Sequence, residues 1–159
     1  MFREMVRKNQ QLPREECIEI LRQETRGVLS VVGDGGYPYG APMNHWYNEA
    51  DGTVYFHCGN IGHRLDALRE NDKASFCVCG KPWKDEADDW SWWVKSVIVF
   101  GRVEILDDLD TIIDITTKLS YQFTQDADYI RKEIEGHAHR TLLLRLTPEH
   151  ISGKRVHEA

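Results

Sequence analysis

One segment of the chain has the residue types and spacing of an anion-binding turn: residues 55–64, Tyr-Phe-His-Cys-Gly-Asn-Ile-Gly-His-Arg. A β-type strand runs through two glycines into a helical pattern, so free backbone N–H groups and the helix dipole face the turn. Arg64 can hold a phosphate through two N–H groups, and His57 or His63 can donate a further hydrogen bond. The same pattern also fits a strand-to-helix turn without a ligand, in which His63 and Arg64 face solvent.

The histidines and cysteines offer other candidate sites. His137 and His139 lie one residue apart, but no cysteine or carboxylate pattern completes a metal-ligand set, so we expect exposed loop histidines and no metal site. Cys77 and Cys79 share one face of a predicted strand and could bind a metal, although packing as small apolar residues explains them equally well. No Cys-x-x-Cys pair occurs, which favours reduced thiols.

Aromatic residues are concentrated near the middle of the chain, where Trp83, Trp90, Trp92 and Trp93 fall within eleven residues. They could stack on a flat ring, or they could supply buried area where a strand enters a core or a subunit interface. The unbroken apolar run at residues 97–100 predicts a strand buried on both faces. Because an antiparallel sheet in a monomer rarely covers both faces, we expect a subunit interface there.

Periodicity predicts the elements that position these residues. Helical spacing predicts four helices, with Asn60 capping the second and Ile61 on the buried face of that helix. The first three strands are expected to form a meander. The fold is therefore predicted as α+β, mainly β, a six-stranded antiparallel barrel with flanking helices in a single domain over residues 1–159. The predicted helices cover residues 13–25, 60–71, 107–123 and 126–135, and the predicted strands cover residues 27–33, 37–47, 53–58, 74–79, 90–106 and 141–146.

Size and charge restrict the possible partners. The chain has 159 residues, and its 20 Lys and Arg against 26 Asp and Glu give a net charge of -6. This balance argues against general affinity for nucleic acid or anionic membranes. No apolar run exceeds four residues, whereas a membrane-spanning helix needs about 20. We expect a cytoplasmic protein that needs no disulfide or metal to hold its core.

Several short blocks of sequence are spread along nearly the full chain and together form a recognisable pattern. They are Met1-Phe2-Arg3-Glu4-Met5 with Arg7 and Leu12-Pro13, Gly35-Gly36-Tyr37-Pro38-Tyr39 with Pro42, Tyr55-Phe56-His57-Cys58 with Gly62-His63-Arg64, Asn71-Asp72-Lys73-Ala74-Ser75-Phe76-Cys77-Val78, Ser96-Val97-Ile98-Val99-Phe100-Gly101-Arg102-Val103, and Ile151-Ser152-Gly153-Lys154. In this order, the blocks resemble the FMN-binding split-barrel family of pyridoxamine 5'-phosphate oxidase-like proteins. Within that family, the sequence is most similar to the branch related to 5-nitroimidazole-resistance (Nim) proteins.

The resemblance implies a six-stranded split barrel that forms a homodimer and binds two FMN molecules at the subunit interface. The FMN phosphate would meet residues 57–64, and the flavin ring would lie along the strand at residues 42–44. Ser96, Val97 and nearby tryptophans would come from the second subunit. The cofactor-binding residues implied by the resemblance are Pro42, Met43, Asn44, Phe56, His57, Cys58, Ile61, Gly62, His63, Arg64, Ser96 and Val97.

The resemblance also implies an FMN-dependent oxidoreductase. Electrons from NADH or NADPH would pass through the flavin to a small-molecule acceptor such as a nitroaromatic compound, and no catalytic acid or base is assigned. Pyridoxamine 5'-phosphate oxidases carry a C-terminal arginine and histidine signature for the substrate phosphate; residues 142–159 lack it, so we expect a different substrate. Two alternatives stay open: a flavin-binding or flavin-storing protein without turnover, and a haem-handling split barrel with His57, His63 or His137 as axial ligand.

Overall fold

The computed structural model describes residues 1–87 and 90–158. Within these residues, four helices and seven strands follow in the order α1 (Arg14–Gln23), β1 (Arg26–Val32), β2 (Pro38–Asn44), β3 (Trp46–Asn48), β4 (Thr53–Gly59), α2 (His63–Glu70), β5 (Lys73–Cys79), β6 (Trp92–Leu106), α3 (Leu109–Ser120), α4 (Ala127–His137) and β7 (Thr141–Glu158). No helix in this part of the chain is long and apolar enough to cross a membrane.

The strands form one antiparallel sheet in the order β2-β1-β5-β6-β7-β4-β3. β2 and β3 are its two edges, yet only His45 separates them along the chain. A flat sheet of this size would be about 29 Å wide at roughly 4.8 Å per strand, a gap that one residue cannot bridge. The sheet therefore curls until its edges approach, and β2 comes close to β4. The predicted barrel with flanking helices is confirmed.

The strand count and order differ from the prediction around His45. The expected strand over residues 37–47 is divided there into β2 and β3, which raises the count from six strands to seven. Both antiparallel pairings of the predicted meander are present, but the middle strand is divided: β2 pairs with β1 at one edge of the sheet, whereas β3 pairs with β4 at the other. The His45 N–H donates to the Thr25 carbonyl at 3.1 Å, which extends the β1–β2 pairing by one residue before the chain passes to β3.

Two clusters of buried side chains hold the molecule together. The larger one fills the barrel, where the rings of Phe56 and Phe76 meet edge to face with centroids 4.8 Å apart. Apolar residues of α1 and α2 join this cluster, including Leu21 and Leu65. The second cluster lies between β4, β7 and the α3–α4 hairpin and contains Tyr55, Ile112, Ile115, Ala138 and Leu143. The barrel interior is thus filled by side chains, and ligand sites must lie at its rim or outside it.

The last strand is much longer than its sequence pattern predicts. We expect a strand over residues 141–146, but β7 continues to Glu158 because β6 offers it a long antiparallel partner. The ladder shifts register next to Gly101, where a Cβ would lie 2.1 Å from the Thr147 carbonyl oxygen. Only glycine permits this close backbone approach. The residues around Pro148 have little hydrophobic alternation of their own, and their pairing with the distant strand β6 is what makes them part of a strand.

The helices follow local signals with one exception. Asp108 and Asp126 cap α3 and α4 by accepting the N–H groups of Thr111 and Tyr129. The helix predicted over residues 60–71 instead begins at His63 and ends at Glu70, so Asn60 is not its cap. Ile61 precedes the helix and is 85% exposed, and its assignment to the buried helix face is wrong.

Strand alternation separates an inner and an outer sheet face. On β5, Phe76 and Val78 point into the barrel and Cys77 lies on the other face. On β6, Val99 is fully buried whereas Ile98 and Phe100 are 37% and 38% exposed on the outer face. Within one chain, only the inner face of the strand at residues 97–100 is buried. Burial of its outer face by a second subunit stays a prediction.

His45 occupies the point where the two sheet edges meet, and its side chain is fully buried. Its Nε2–H donates to the Leu21 carbonyl at 2.8 Å, and its ring meets Phe76 edge to face at 4.8 Å. Nδ1 has no hydrogen-bond partner within the structure. Desolvation by burial lowers the pKa of this imidazole below its ordinary value of 6.5. The folded protein therefore holds His45 neutral.

We expect this buried imidazole to make folding stability depend on pH. Below pH 6.5 the unfolded chain binds a proton at His45 that the folded chain binds less readily, so the free energy of unfolding falls as pH falls, by up to about 1.4 kcal/mol per pH unit. Urea unfolding at pH 7 and pH 5 should show a smaller pH effect in His45→Gln than in the wild type. The exposed His139, changed to Gln, is the matched control; an unchanged pH effect in His45→Gln would contradict this role.

Candidate ligand-binding site

The turn between β4 and α2 is shaped by glycine. Gly62 has φ 137°, a region of backbone conformation that other residues rarely adopt, and it directly precedes the first helical residue, His63. Neither Gly59 nor Gly62 has an atom within 4 Å of the position a Cβ would take, so the backbone here borders open space. The first N–H groups of α2 point toward this space, as at any helix start.

A small cavity of about 90 Å³ opens at this turn, enclosed by Tyr39, Gly59, Ile61, Gly62, His63, Arg64 and Leu65. Its size suits a compact anion and excludes a three-ring system. The Nε of Arg64 is buried and has no hydrogen-bond partner in the structure. A buried guanidinium N–H without a partner is costly, so the site has donor capacity left for an anion.

Two neighbours hold the side chains of this turn in place. Burial raises the pKa of the Cys58 thiol, and the charge of Arg64 together with a hydrogen bond between the two side chains opposes that rise. The His63 ring packs at a tilt against Tyr39, with ring centroids 4.4 Å apart, and its Nε2 accepts the Asp34 N–H at 3.3 Å. His63 therefore ties α2 to the turn before β2, while Arg64 lines the cavity and its buried Nε has no hydrogen-bond partner among the described residues.

The structure divides the predicted cofactor residues among four places, one of which holds His57 alone. Gly62, His63 and Arg64 form the cavity, with Ile61 exposed beside them. Met43, Phe56, Cys58 and Val97 are buried in the barrel core, so their side chains cannot reach a ligand on the outer face. Pro42, Asn44 and Ser96 lie on the outer face, but β2 and β6 are separated by β1 and β5. At about 4.8 Å per strand, Asn44 and Ser96 of one chain are roughly 14 Å apart.

His57 lies apart from the anion-binding turn. Its side chain is on the face of β4 opposite Phe56 and Cys58, since successive strand residues alternate. There it lines a cavity of about 160 Å³ with residues of α3 and α4, including Glu133 and His137. Although His57 remains exposed, desolvation lowers the pKa of its imidazole. Sequence reasoning grouped His57 with the turn because the helices that surround it come more than fifty residues later.

Sequence reasoning missed Tyr39 as a site residue. Tyr39 shares a strand face with Met43 and forms one wall of the cavity. The available signal was the two-residue period of β2, which places Tyr39, Ala41 and Met43 on one side. Of the tryptophans predicted as either ring-binding or packing residues, Trp93 stacks on Trp83 at 6.2 Å and on His157 at 4.3 Å, whereas Trp90 and Trp92 are exposed.

Comparison with known proteins assigns the chain to a family. The sequence pattern of the pyridoxamine 5'-phosphate oxidase family matches residues 13–155, and the chain belongs to that family. No curated protein matches the chain significantly.

Solved structures share the fold. They include a proposed 5-nitroimidazole antibiotic resistance protein from Bacteroides thetaiotaomicron, which is 19% identical with a TM-score of 0.76 over 93% of this chain and 87% of that one. A conserved hypothetical protein from Mycobacterium tuberculosis is 16% identical, with a TM-score of 0.78 over 95% of this chain and 90% of that one. An FAD-binding protein from Mesorhizobium loti is 24% identical, with a TM-score of 0.64 over 92% of this chain and 96% of that one.

Proposed function

We propose that the chain binds FMN, with the phosphate at the start of α2 against Arg64. The observation that carries the proposal is the buried Arg64 Nε without a protein partner, beside a cavity of about 90 Å³. A phosphate fits the cavity size, the N–H groups of the helix start and the positive charge together. The proposal is also supported by membership of the family and by the shared fold with an FAD-binding protein.

The flavin ring is proposed to lie outside the barrel, along the edge strand β2 at Pro42, Met43 and Asn44. β2 pairs only with β1, so one side of its backbone is available to a ligand. Arg26 lies across from Asn44 in the ladder and donates to its Oδ1 at 3.2 Å. That guanidinium places a positive charge beside the proposed ring position, which favours the anionic reduced form of the ring.

A second copy of the chain is proposed to complete the site. The outer sheet face of β1 and β6 exposes apolar side chains, namely Val28, Val32, Ile98 and Phe100. Several exposed apolar side chains on one sheet face are typical of a protein interface. In a homodimer through this face, Ser96 of one subunit can reach the flavin bound by the other, which removes the separation of about 14 Å within one chain.

For the activity, we propose an FMN-dependent oxidoreductase that takes electrons from NADH or NADPH and reduces a small acceptor such as a nitroaromatic compound. Bound FMN supplies the chemistry of hydride acceptance and electron transfer, and the protein supplies placement and charge. The fold shared with a proposed 5-nitroimidazole resistance protein supports this acceptor class. Oxidation of pyridoxamine phosphate is disfavoured, because Arg155 and His157 near the C-terminus pack against Trp93.

We expect Arg64→Ala to weaken FMN binding by about 1.5–3 kcal/mol, roughly 10- to 150-fold in Kd, because it removes a charge-assisted hydrogen bond to the phosphate. Quenching of flavin fluorescence during titration measures the Kd. Arg69→Ala is the matched control, since Arg69 lies on the same helix and pairs with Asp66 on the surface. Equal affinity of Arg64→Ala and the wild type would refute the phosphate assignment.

The proposed dimer interface on the outer sheet face is tested by introducing a charged side chain there. Ile98→Asp should shift the protein from dimer to monomer at low micromolar concentration and weaken FMN binding, because a buried carboxylate at the interface is costly. Ile113→Asp on α3 is the control, since Ile113 is 40% exposed, close to the 37% of Ile98. Analytical ultracentrifugation gives the assembly state. A wild-type monomer that carries FMN at full occupancy would contradict the shared site.

The activity is tested on the purified protein by absorbance and stopped-flow mixing. We expect the two broad near-ultraviolet and blue bands of oxidised flavin, bleached by NADH or NADPH and restored when a nitroaromatic acceptor is added. Flavin that neither donor bleaches would oppose the reductase and favour flavin storage. An intense Soret band in place of the flavin bands would oppose FMN binding and favour haem.

A further inference from the structure

The α3–α4 hairpin carries more apolar surface than the barrel covers. Ile112 and Ile115 of α3 are buried against β4 and β7. Ile113 lies outside that buried stripe and is 40% exposed. Of the eleven residues of α4, all of which the structure describes, only Ile130 is buried. One side of the hairpin is therefore packed on the sheet, and apolar side chains remain on the other.

A groove of about 360 Å³ lies between the two helices on the uncovered side. Ile113, Thr117 and Tyr121 form its α3 wall, since residues four apart share one face of a helix. The α4 residues that line it are Ala127, Ile130, Arg131, Ile134 and Glu135. At roughly 1.5 Å of rise per residue, the wall from residue 113 to residue 121 is about 12 Å long. The groove is thus long enough for about two turns of a helix laid into it.

Negative charge is concentrated on the same hairpin. Residues 107–137 contain eight Asp and Glu against three Lys and Arg, a net charge of -5, whereas the whole chain has a net charge of -6. This hairpin therefore accounts for nearly all of the excess negative charge of the protein. Any ligand of the groove approaches through a negative electrostatic potential.

Exposed carboxylates stand at both ends of the groove. Asp110 and Asp114 lie within one helical turn of Ile113. At the other end, Asp126 and Asp128 lie at the start of α4. Asp114 and Asp128 form ion pairs on the surface of their own helices, and a carboxylate in such a pair keeps lone pairs for a second donor.

Shape and charge together select one kind of occupant. Two copies of the chain placed groove to groove would bring two negative surfaces together, and an anionic membrane or a nucleic acid is repelled in the same way. An uncharged apolar helix fits the groove but makes no use of the carboxylates at its ends. A helix with an apolar stripe and with Lys or Arg beside it matches both features.

We propose that the α3–α4 groove is a docking site for a cationic amphipathic helix of a partner protein. The apolar stripe of that helix packs against Ile113, Ile130 and Ile134, and its basic residues face Asp110 and Asp128. The site lies on the helices that cover β4 and β7, whereas the proposed dimer interface is formed by β1 and β6. It does not depend on flavin binding.

The probe is a fluorescein-labelled peptide of about 14 leucine and lysine residues, with the leucines at helical spacing over four turns. It is added to the full-length protein in its native assembly at about 0.15 M salt, and fluorescence anisotropy gives the Kd. A peptide of the same composition in which leucine and lysine alternate tests charge alone, because alternation gives no apolar stripe on a helix. We expect it to bind at least about 10-fold more weakly than the helical peptide.

The apolar contact is tested in the groove wall. Ile113→Ser should weaken binding of the helical peptide by about 10-fold, because it removes an apolar side chain that the peptide covers. Val6→Ser, at an exposed apolar position of the N-terminal segment, is the control and should bind as the wild type does.

The charge contribution is tested by a double variant. Asp110→Asn with Asp128→Asn should weaken binding by about 3- to 10-fold. Glu15→Gln with Glu70→Gln removes two exposed carboxylates outside the hairpin and is the control for net charge. Isoleucine methyl NMR locates the peptide: the signals of Ile113, Ile130 and Ile134 should shift, and that of Ile98 should not.

Any of four results would overturn this site. The first is equal affinity for the helical and the alternating peptide, and the second is unchanged affinity in Ile113→Ser. The third is an equal loss of affinity in the two double variants, which indicates net charge alone. The fourth is dissociation of the peptide-free assembly by Ile113→Ser, which makes the groove an interface between copies of this chain. None of these results bears on the FMN titration of Arg64→Ala, so failure of this site is distinguishable from failure of the proposed function.

Discussion

The rest of the structure depends on the passage of the chain from one edge of the sheet to the other through a single residue. β2 and β3 are the outermost strands, and His45 alone connects them. So short a connection requires the edges to be neighbours, and the sheet must close on itself. The His45 side chain is held at this point by the Leu21 carbonyl and Phe76, and its own carbonyl accepts a hydrogen bond from Gln122. One residue thus links the barrel core to α1 and to the segment after α3.

Closure gives the sheet an inside and an outside and so decides where ligands can bind. The inside is filled by aromatic and aliphatic side chains, among them Phe56 and Phe76. Unpaired hydrogen-bonding groups remain at the rim, where the Nε of Arg64 in the turn before α2 is buried without a partner. Unpaired backbone groups also remain along the free edge of β2. The helices α3 and α4 cover β4 and β7, while apolar side chains of β1 and β6 stay exposed. The proposed FMN site and dimer interface use these uncovered parts.

Local signals in the sequence were sufficient for much of the fold. Helical periodicity predicted α3 and α4, and the two-residue period of β5 predicted that Cys77 and Cys79 share a strand face, because periodicity depends on neighbouring residues only. Features that depend on distant partners were not predictable in this way. β7 extends beyond Leu146 because β6 pairs with it, and residues 37–47 divide at His45 because the two parts pair with different strands. The same division holds for the site: Arg64 and its glycines were recognisable, whereas the placement of His57 beside α3 and α4 was not.

The sequence by itself determined the chemistry of the turn before α2, the alternation that sorts side chains to two faces, and the resemblance to a split-barrel family that the family match then showed. These properties are set by residues close together in the chain. Only the tertiary structure decided that the edges of the sheet meet at His45 and that Asn44 and Ser96 are kept apart within one chain. Such relations arise from strand pairing between segments far apart in sequence, which no local pattern specifies.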